Sequence, residues 1–394
     1  MQGIQQIVKK YAEHAVEIRR KLHQNPELGY EEIKTTALIR QELNDYGIEI
    51  QELPGLKTGL TAIIRGKKTG KTIGLREDID ALPMKEETKL PFASINNCAH
   101  ACGHDIHCST LLLTARVLQE MRDELAGNVR LFFQPAEERI TGAQTMLEAG
   151  AMDLEPQCEC AIGLHCSPDW KVGTIGLRSG AANASSDKIV ITVKGKGGHG
   201  AHPEAFVDPI VASAYMLTQL QTVVSRENLP VQAAVLTFGT IHGGTAMNIV
   251  PSEVKLEGTL RALNEQGRHK MLSAIKRIAE CSCAAMRAEA VVDISADDGV
   301  PALDNDATLI EKIRVAAQET IGKENINNIP NPSLGSEDFS RFGARIPVAQ
   351  FRLGTSNDDP NTSIGLHSPY NIFDDAAIEI GATVMAQFAL DYLK

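Results

Sequence analysis

No apolar run in this sequence approaches the roughly 20 residues that a bilayer-spanning helix needs, so no membrane segment is expected. Residues Met1 to Tyr11 lack the apolar stretch and small-residue cleavage site of a secretion signal, and the reading is cytoplasmic. Basic charge is also scarce: 39 Lys and Arg face 50 Asp and Glu, a formal net charge of -11. A surface that tracks phosphates needs the opposite balance, so no nucleic-acid partner is expected. There is no internal repeat and no low-complexity segment. The G-x-S-x-G elbow of serine hydrolases is missing. Zinc-ribbon spacing is missing too, because Cys158 and Cys160, like Cys281 and Cys283, are spaced C-x-C. A chain of this size without a signal is expected to keep its thiols reduced, and most of its eight cysteines read as inert buried thiols. Cys102 is the exception.

What is present is an ordinary globular composition, 43% hydrophobic and 23% charged, over 394 residues. That length exceeds one hydrophobic core, so two domains are expected. The first forty residues read as two helices. Ile4, Ile7, Val8, Tyr11, Val16, Ile18 and Leu22 mark the first, Asn25-Pro26 breaks it, and the second runs from about Tyr30 to Tyr46. Strand-like and helical stretches then alternate. Leu60 to Arg65, Thr72 to Arg76, Asn128 to Gln134 and Cys160 to His165 read as strands, and Ser109 to Met121 and Thr141 to Ala149 as helices. Such alternation implies an α/β domain with a mostly parallel sheet flanked by helices. From Asp187 the order is strand (Lys188 to Gly195), helix (Pro209 to Ser225) and two strands (Gln232 to Thr240, Glu253 to Arg261). A helix (Glu265 to Arg287) and a strand (Ala290 to Ala296) complete it. That order is a ferredoxin-like α+β sandwich. After Pro301 the α/β texture returns, so residues 184–297 read as a domain inserted into a larger one, 1–183 with 298–394.

The densest chemistry is His100-Ala101-Cys102-Gly103-His104-Asp105-Ile106-His107, placed before the helix expected from Ser109. Three imidazoles, a thiol and a carboxylate offer soft and borderline ligands suited to zinc, nickel, cobalt or manganese. A helix N-terminus and a bound cation would both favour the Cys102 thiolate. Asp78 and Asp80, two apart after a strand, share a face. Glu137 and Glu138 end a buried strand; adjacent acids repel unless a cation lies beside them, and their side chains are expected to diverge. His165 ends the next apolar strand, so acids and imidazole fall where open α/β sheets place ligands. His367 and the acidic turn Ser336-Glu337-Asp338-Phe339 lie near the C-terminus. Gly195-Lys196-Gly197-Gly198-His199-Gly200 matches the dinucleotide fingerprint. Pro203 and Pro209 interrupt the helix that fingerprint requires, so nucleotide binding is set aside.

These segments together resemble the aminoacylase/carboxypeptidase family of metallopeptidases, and most closely its branch of hippurate hydrolases, N-acyl-amino-acid deacylases and auxin-conjugate hydrolases. The resemblance runs from Arg20-Lys21-Leu22-His23-Gln24-Asn25-Pro26-Glu27-Leu28 to the His367 loop. It includes Asp78-Ile79-Asp80-Ala81-Leu82-Pro83, Gln134-Pro135-Ala136-Glu137-Glu138 and Gly198-His199-Gly200-Ala201-His202-Pro203. It implies two divalent metal ions held by Cys102, His104, Glu138, His165 and His367, with the Cys102 thiolate bridging. It implies Glu137 as general acid/base and Asp80 as the acid that orients a ligand. His199 would help hold an oxyanion, often across a dimer, and Asn248 and Arg261 would grip the substrate carboxylate. The implied substrate is a small N-acyl amino acid, and the implied assembly a homodimer through the inserted lid domain. Asp78 stands where other branches carry a ligating histidine. Glu77 and Ile106 replace small residues of the family pattern and are expected to alter substrate preference and narrow the pocket. A dipeptidase or carboxypeptidase on the same scaffold is the nearest rival, and a non-catalytic binding protein the remoter one.

Overall fold

The computed structural model describes residues 3–294 and 299–394. The expected strand end at Ala296 and the domain boundary after 297 fall outside them. The chain divides into two compact units, Met1–Gly180 with Asp304–Asn331 and Asp338–Lys394, and Ala181–Leu303 with Pro332–Glu337.

The first unit is built on an eight-stranded sheet. Its order is Glu49–Gln51, Leu60–Arg65, Ala126–Gln134, Lys68–Asp78, Cys160–Lys171, Val348–Ser356, Ile175–Leu177, Ile326–Asn328. The four central strands run parallel, and antiparallel pairs lie toward both edges. Central strands covered on both faces lose the polar alternation of half-exposed ones, and Cys160–Lys171 is accordingly buried over its first nine residues. Phe132 and Phe133 show the two covered faces. Phe133 joins the core packed by helices α1 (Ile4–Gln24) and α3 (His104–Glu120) and by the helix Ala377–Tyr392. Phe132 instead meets Phe342 edge-on at 5.2 Å. Each such ring contributes about 1.5–3 kcal/mol by leaving water.

Two helix starts differ from the sequence reading, for different reasons. Helix α2 spans Ile33–Asp45. Tyr30 is left-handed (φ 70), and the Glu27 carboxylate accepts the N–H groups of Lys34 and Thr35, so the first turn begins three residues later than expected. Helix α3 starts at His104, not near Ser109. It is buried on nearly every side, so it has no apolar stripe to announce its first turn, and Gly103 (φ 88) turns the chain into it.

In the second unit four strands pair antiparallel in the order Ala234–His242, Glu253–Ala262, Asp187–Lys194, Glu289–Asp293. With the helices Pro209–Leu220 and Glu265–Ala285 this is the ferredoxin-like arrangement. Ile189, Ile191 and Val193 alternate onto the face that packs with Met216 and Ile275. The first helix ends at Leu220 and a π-turn, Val223–Glu227, follows, short of the expected run to Ser225. No helix among the described residues is long and apolar enough to cross a membrane.

Candidate metal centre

The parallel strands Lys68–Asp78, Ala126–Gln134 and Cys160–Lys171 carry polar residues to one end of the sheet. Asp78 pairs with Gln134 in register, Asp80 lies two residues on, and Glu137–Arg139 forms a 3-10 turn just past the second strand. From the other side Cys102, just before the Gly103 cap, and His104 and His107 in the first turn of α3 are presented. A Cβ on Gly103 would lie 2.9 Å from the Cys166 sulfur, so only glycine lets the chain pass there.

The side chains converge. Ligand atoms of Cys102, His104 and His165 all lie within 4.8 Å of one another, and so do those of Cys102, Glu138 and His367. The two trios share the Cys102 sulfur, which is 3.5 Å from His165 Nε2. His367 Nε2 stands 3.4 Å from Glu138 Oε1, on a loop fastened where the His367 N–H bonds the Ala101 carbonyl at 3.0 Å. Each buried imidazole is aimed by the bond its other nitrogen makes. His104 Nδ1 donates to the Asp80 carbonyl at 2.9 Å, with Asp80 Oδ1 at 3.2 Å. His165 Nδ1 donates to the Cys166 carbonyl at 2.9 Å. Nε2 of each is thereby left available to a metal ion. Buried His104 Nε2 and Glu138 Oε1 have no hydrogen-bond partner among the described residues, which a cation between them would explain.

Electrostatics favour the same reading. Burial and the Glu138 carboxylate hold the Cys102 thiol well above its usual range, so the helix N-terminus alone does not yield a thiolate and positive charge must be supplied. Burial works against a proton on His104, yet Asp78 and the bond to Asp80 hold its pKa well above the ordinary value. Protein atoms thus gather around a place that favours a cation. Thiolate, imidazole and carboxylate donors suit a borderline divalent metal. In a third group, Asp78 with His104 and His107, the Asp78 and His107 members are already engaged. His107 Nδ1 donates to Asp78 at 2.6 Å, its Nε2 accepts from the Cys166 N–H at 2.8 Å, and Arg76 bonds the other Asp78 oxygen at 3.1 Å.

Comparison with known proteins points one way. The sequence model of peptidase family M20/M25/M40 matches residues 74–391. The chain belongs to that family. It is 36% identical to an N-acetylcysteine deacetylase of Bacillus subtilis over 98% of both chains. It is also 36% identical to thermostable carboxypeptidase 2 of Saccharolobus solfataricus, over 98% of this chain and 97% of the relative. Among solved structures it superimposes with a TM-score of 0.84 and 34% identity on a Bacillus subtilis protein titled a dinuclear metal-binding peptidase. That match covers 98% of this chain and 99% of the other.

Other residues singled out in this M20 sequence lie in the first unit near these donors or beneath them. Glu137 is 5% exposed, with Oε2 4.0 Å from His104 Nε2; Glu138 Oε1 is 3.9 Å from the same nitrogen. The two acids therefore converge on one nitrogen where divergence was expected, in a tight turn that follows left-handed Ala136 (φ 52). Glu77 and Ile106 have no exposed surface. Glu77 accepts the Leu164 N–H at 2.8 Å and Ile106 joins the core, so neither has surface to offer a substrate. Asp338 of the acidic turn is structural, accepting from Gln134 at 2.7 Å and the Ala143 N–H at 2.8 Å.

In the second unit His199 lies on a two-stranded ladder opposite Ile249, and the Asn248 carbonyl accepts the Gly200 N–H at 3.0 Å. His199 Nδ1 accepts from the Ala201 N–H at 3.1 Å, which leaves the proton of the neutral ring on Nε2. Arg261 donates to the Leu334 carbonyl at 3.0 Å and to Ser336 Oγ at 2.9 Å. The glycine-rich segment leads into this ladder and a 3-10 turn, Pro203–Ala205, with no phosphate-binding helix start. Neither the Glu32 carboxyl nor the Tyr30 hydroxyl was singled out in the sequence, yet both bond residues around the Glu137 turn.

Proposed function

We propose that this chain is a two-metal amidohydrolase cleaving the amide bond of small N-acyl amino acids to a carboxylic acid and a free amino acid. One observation carries the reading: a single sulfur, Cys102, belongs to two ligand trios with the Glu137 carboxylate beside them. Cys102, His104 and His165 would hold one divalent ion, and Cys102, Glu138 and His367 the other; zinc, manganese, cobalt and nickel all suit these donors. When bound, the ions supply Lewis acidity to water and to the amide carbonyl. Glu137 takes the proton of the attacking water and delivers it to the leaving nitrogen. Asp80 keeps the His104 proton on Nδ1. His199 Nε2 donates to the developing oxyanion, a contribution of about 3 kcal/mol. Arg261 and Asn248 take the free carboxylate, for which a guanidinium fork is suited.

The division of labour follows: residues 1–183 and 298–394 carry the metals, and 184–297 act as lid and dimer contact. A homodimer through the second unit is supported by its edge strand Ala234–His242, where Ile241 is exposed, and by exposed Met247 and Ile249. Cytoplasmic residence agrees with the sequence reading. The acyl-amino-acid substrate is supported by the deacetylase relative.

The second reading, a carboxypeptidase or dipeptidase, is favoured by the thermostable carboxypeptidase at equal identity. One experiment separates the two. The protein is stripped of metal, reloaded with zinc, manganese, cobalt or nickel, and offered acetyl-, benzoyl- and fatty-acyl amino acids beside unblocked dipeptides. Metal-dependent release from acylated substrates, abolished by Glu137→Ala, is the expected result. Release from unblocked dipeptides alone would transfer the chain to the peptidase reading.

A further inference from the structure

The segment joining α1 to α2 takes no part in the chemistry described so far, yet its contacts converge on the turn that carries Glu137 and Glu138. Leu28 bridges to Ala81, and the Ala81 N–H bonds the Glu27 carbonyl at 2.9 Å, so the segment runs beside Asp80. Gly29 sits so close that a Cβ there would lie 2.9 Å from the Ala136 Cα and 3.2 Å from an Asp80 oxygen. The Tyr30 hydroxyl reaches Thr141 Oγ1 at 2.7 Å and Thr145 Oγ1 at 2.8 Å, beyond the far end of the same turn. At the near end Glu32, with no exposed surface, accepts the Ala136 N–H at 2.8 Å.

Ala136 is where holding is needed. It is a non-glycine residue in the left-handed region, φ 52 and ψ 39, a conformation that persists only when its surroundings impose it. The next carboxylate along, Asp80, accepts the Glu138 N–H at 3.0 Å. Buried acceptors therefore grip the N–H groups on both sides of Glu137, Glu32 before it and Asp80 after it.

We propose that Glu32 is a positioning residue for Glu137, holding the left-handed Ala136 by its N–H so that the general base points at the metal centre. The proposal rests on the amidohydrolase reading. Glu32 touches no substrate and acts only through the backbone it holds. The acceptor oxygen, not the charge, does the holding, so a neutral amide at this place serves as well. In agreement, burial pushes the Glu32 carboxyl up to about 7.

The test compares Glu32→Ala and Glu32→Gln with the wild type in the metal-loaded, full-length protein. Kinetics are measured on the best acylated amino acid, bound metal is counted, and hydrogen exchange is followed in a peptide covering residues 135–141. Misplacing a catalytic group by about 1 Å costs up to about 100-fold, so Glu32→Ala is expected to lower kcat by about 10- to 100-fold. KM should stay within about twofold and bound metal unchanged, because Glu32 meets neither substrate nor ligand. Glu32→Gln keeps the acceptor and should restore kcat to within about threefold of wild type. Exchange across 135–141 should quicken in the alanine variant only. Wild-type kcat in Glu32→Ala overturns the proposal. So does equal damage in both variants with loss of metal, which marks a general role in folding. If the wild type releases no amino acid from any acylated substrate, the functional reading fails by itself. Hydrogen exchange then decides this one: quickening in the alanine variant alone sustains it, and unchanged exchange overturns it.

Discussion

The two sets of polar side chains assigned to the chemistry are built in opposite ways. In the first unit Cys102, His104, Glu137 and His165 are all less than 10% exposed, and His104 and His165 are each fixed by a second bond at the nitrogen that faces away from the centre. In the second unit His199 and Asn248 are exposed, and their local contacts run through backbone and ring nitrogen at a ladder only two residues long. The difference follows from what each set must hold. Donors fixed in place beforehand take up a cation with less ordering, whereas groups proposed to grip a substrate must also release its products. Damage to the first set should therefore remove metal and stability together, and damage to the second should remove rate alone.

The largest effect tests the first half. His104→Ala deletes one proposed ligand and removes the ring that lies between Asp78 and Asp80. Loss of Lewis-acid stabilisation worth several kcal/mol corresponds to a fall in kcat/KM of about three orders of magnitude. Bound metal, counted by mass spectrometry of the native protein, should fall below that of wild type. Chelation of the wild type should lower Tm, because an ion that binds only the folded chain stabilises it by mass action. An unchanged Tm after complete metal removal would show that the buried donors need no cation to be satisfied.

A smaller effect tests the second half. His199→Ala should lower kcat by about 100-fold, the usual loss of one oxyanion donor, with Tm and bound metal as in wild type. Loss of metal in this variant would break the contrast, since His199 would then belong with the buried set.

How much of this was legible in the sequence depended on whether a residue's neighbours lay nearby in the chain. The strand Leu60–Arg65 matches its sequence reading to the residue, because a short run rich in apolar and β-branched residues between Gly59 and Gly66 needs no distant partner to be recognised. The convergence of Cys102, His104 and Glu138 was legible through the dense His100–His107 run and the paired glutamates, types that a core does not accept without reason. The start of α3 was not legible, because a helix buried on all sides shows no stripe and Gly103 resembles any loop glycine. Nor was the role of His107. Nothing near it in sequence reveals that Asp78 and the Cys166 N–H occupy both its nitrogens, while His104 three residues earlier keeps one free. Glu32 was invisible for the same reason: Ala136, the group it holds, is more than a hundred residues away.

The smallest effect sharpens the contrast further, by asking what the buried set does to stability. Glu32 has its carboxyl raised from 4.5 to about 7, mainly by burial. A folded state that holds a proton more tightly than the unfolded chain loses stability as pH rises between those two values. Below about 4.5 both states are protonated and the group is neutral in its effect; above about 7 both are ionised and the penalty is complete. At 1.36 kcal/mol per unit, the shift corresponds to an upper bound of about 3 kcal/mol. Glu32→Gln cannot ionise, so its stability advantage over wild type should be nil near pH 4, grow through the interval, and level off above about pH 7. Denaturant unfolding of both metal-loaded proteins at pH 5 and pH 8 measures it, and a constant difference at the two pH values would mean that Glu32 is ionised in the fold at little cost. A growing difference, with kcat preserved, would show that the buried set trades stability for aim in a way that the exposed His199 and Asn248 do not.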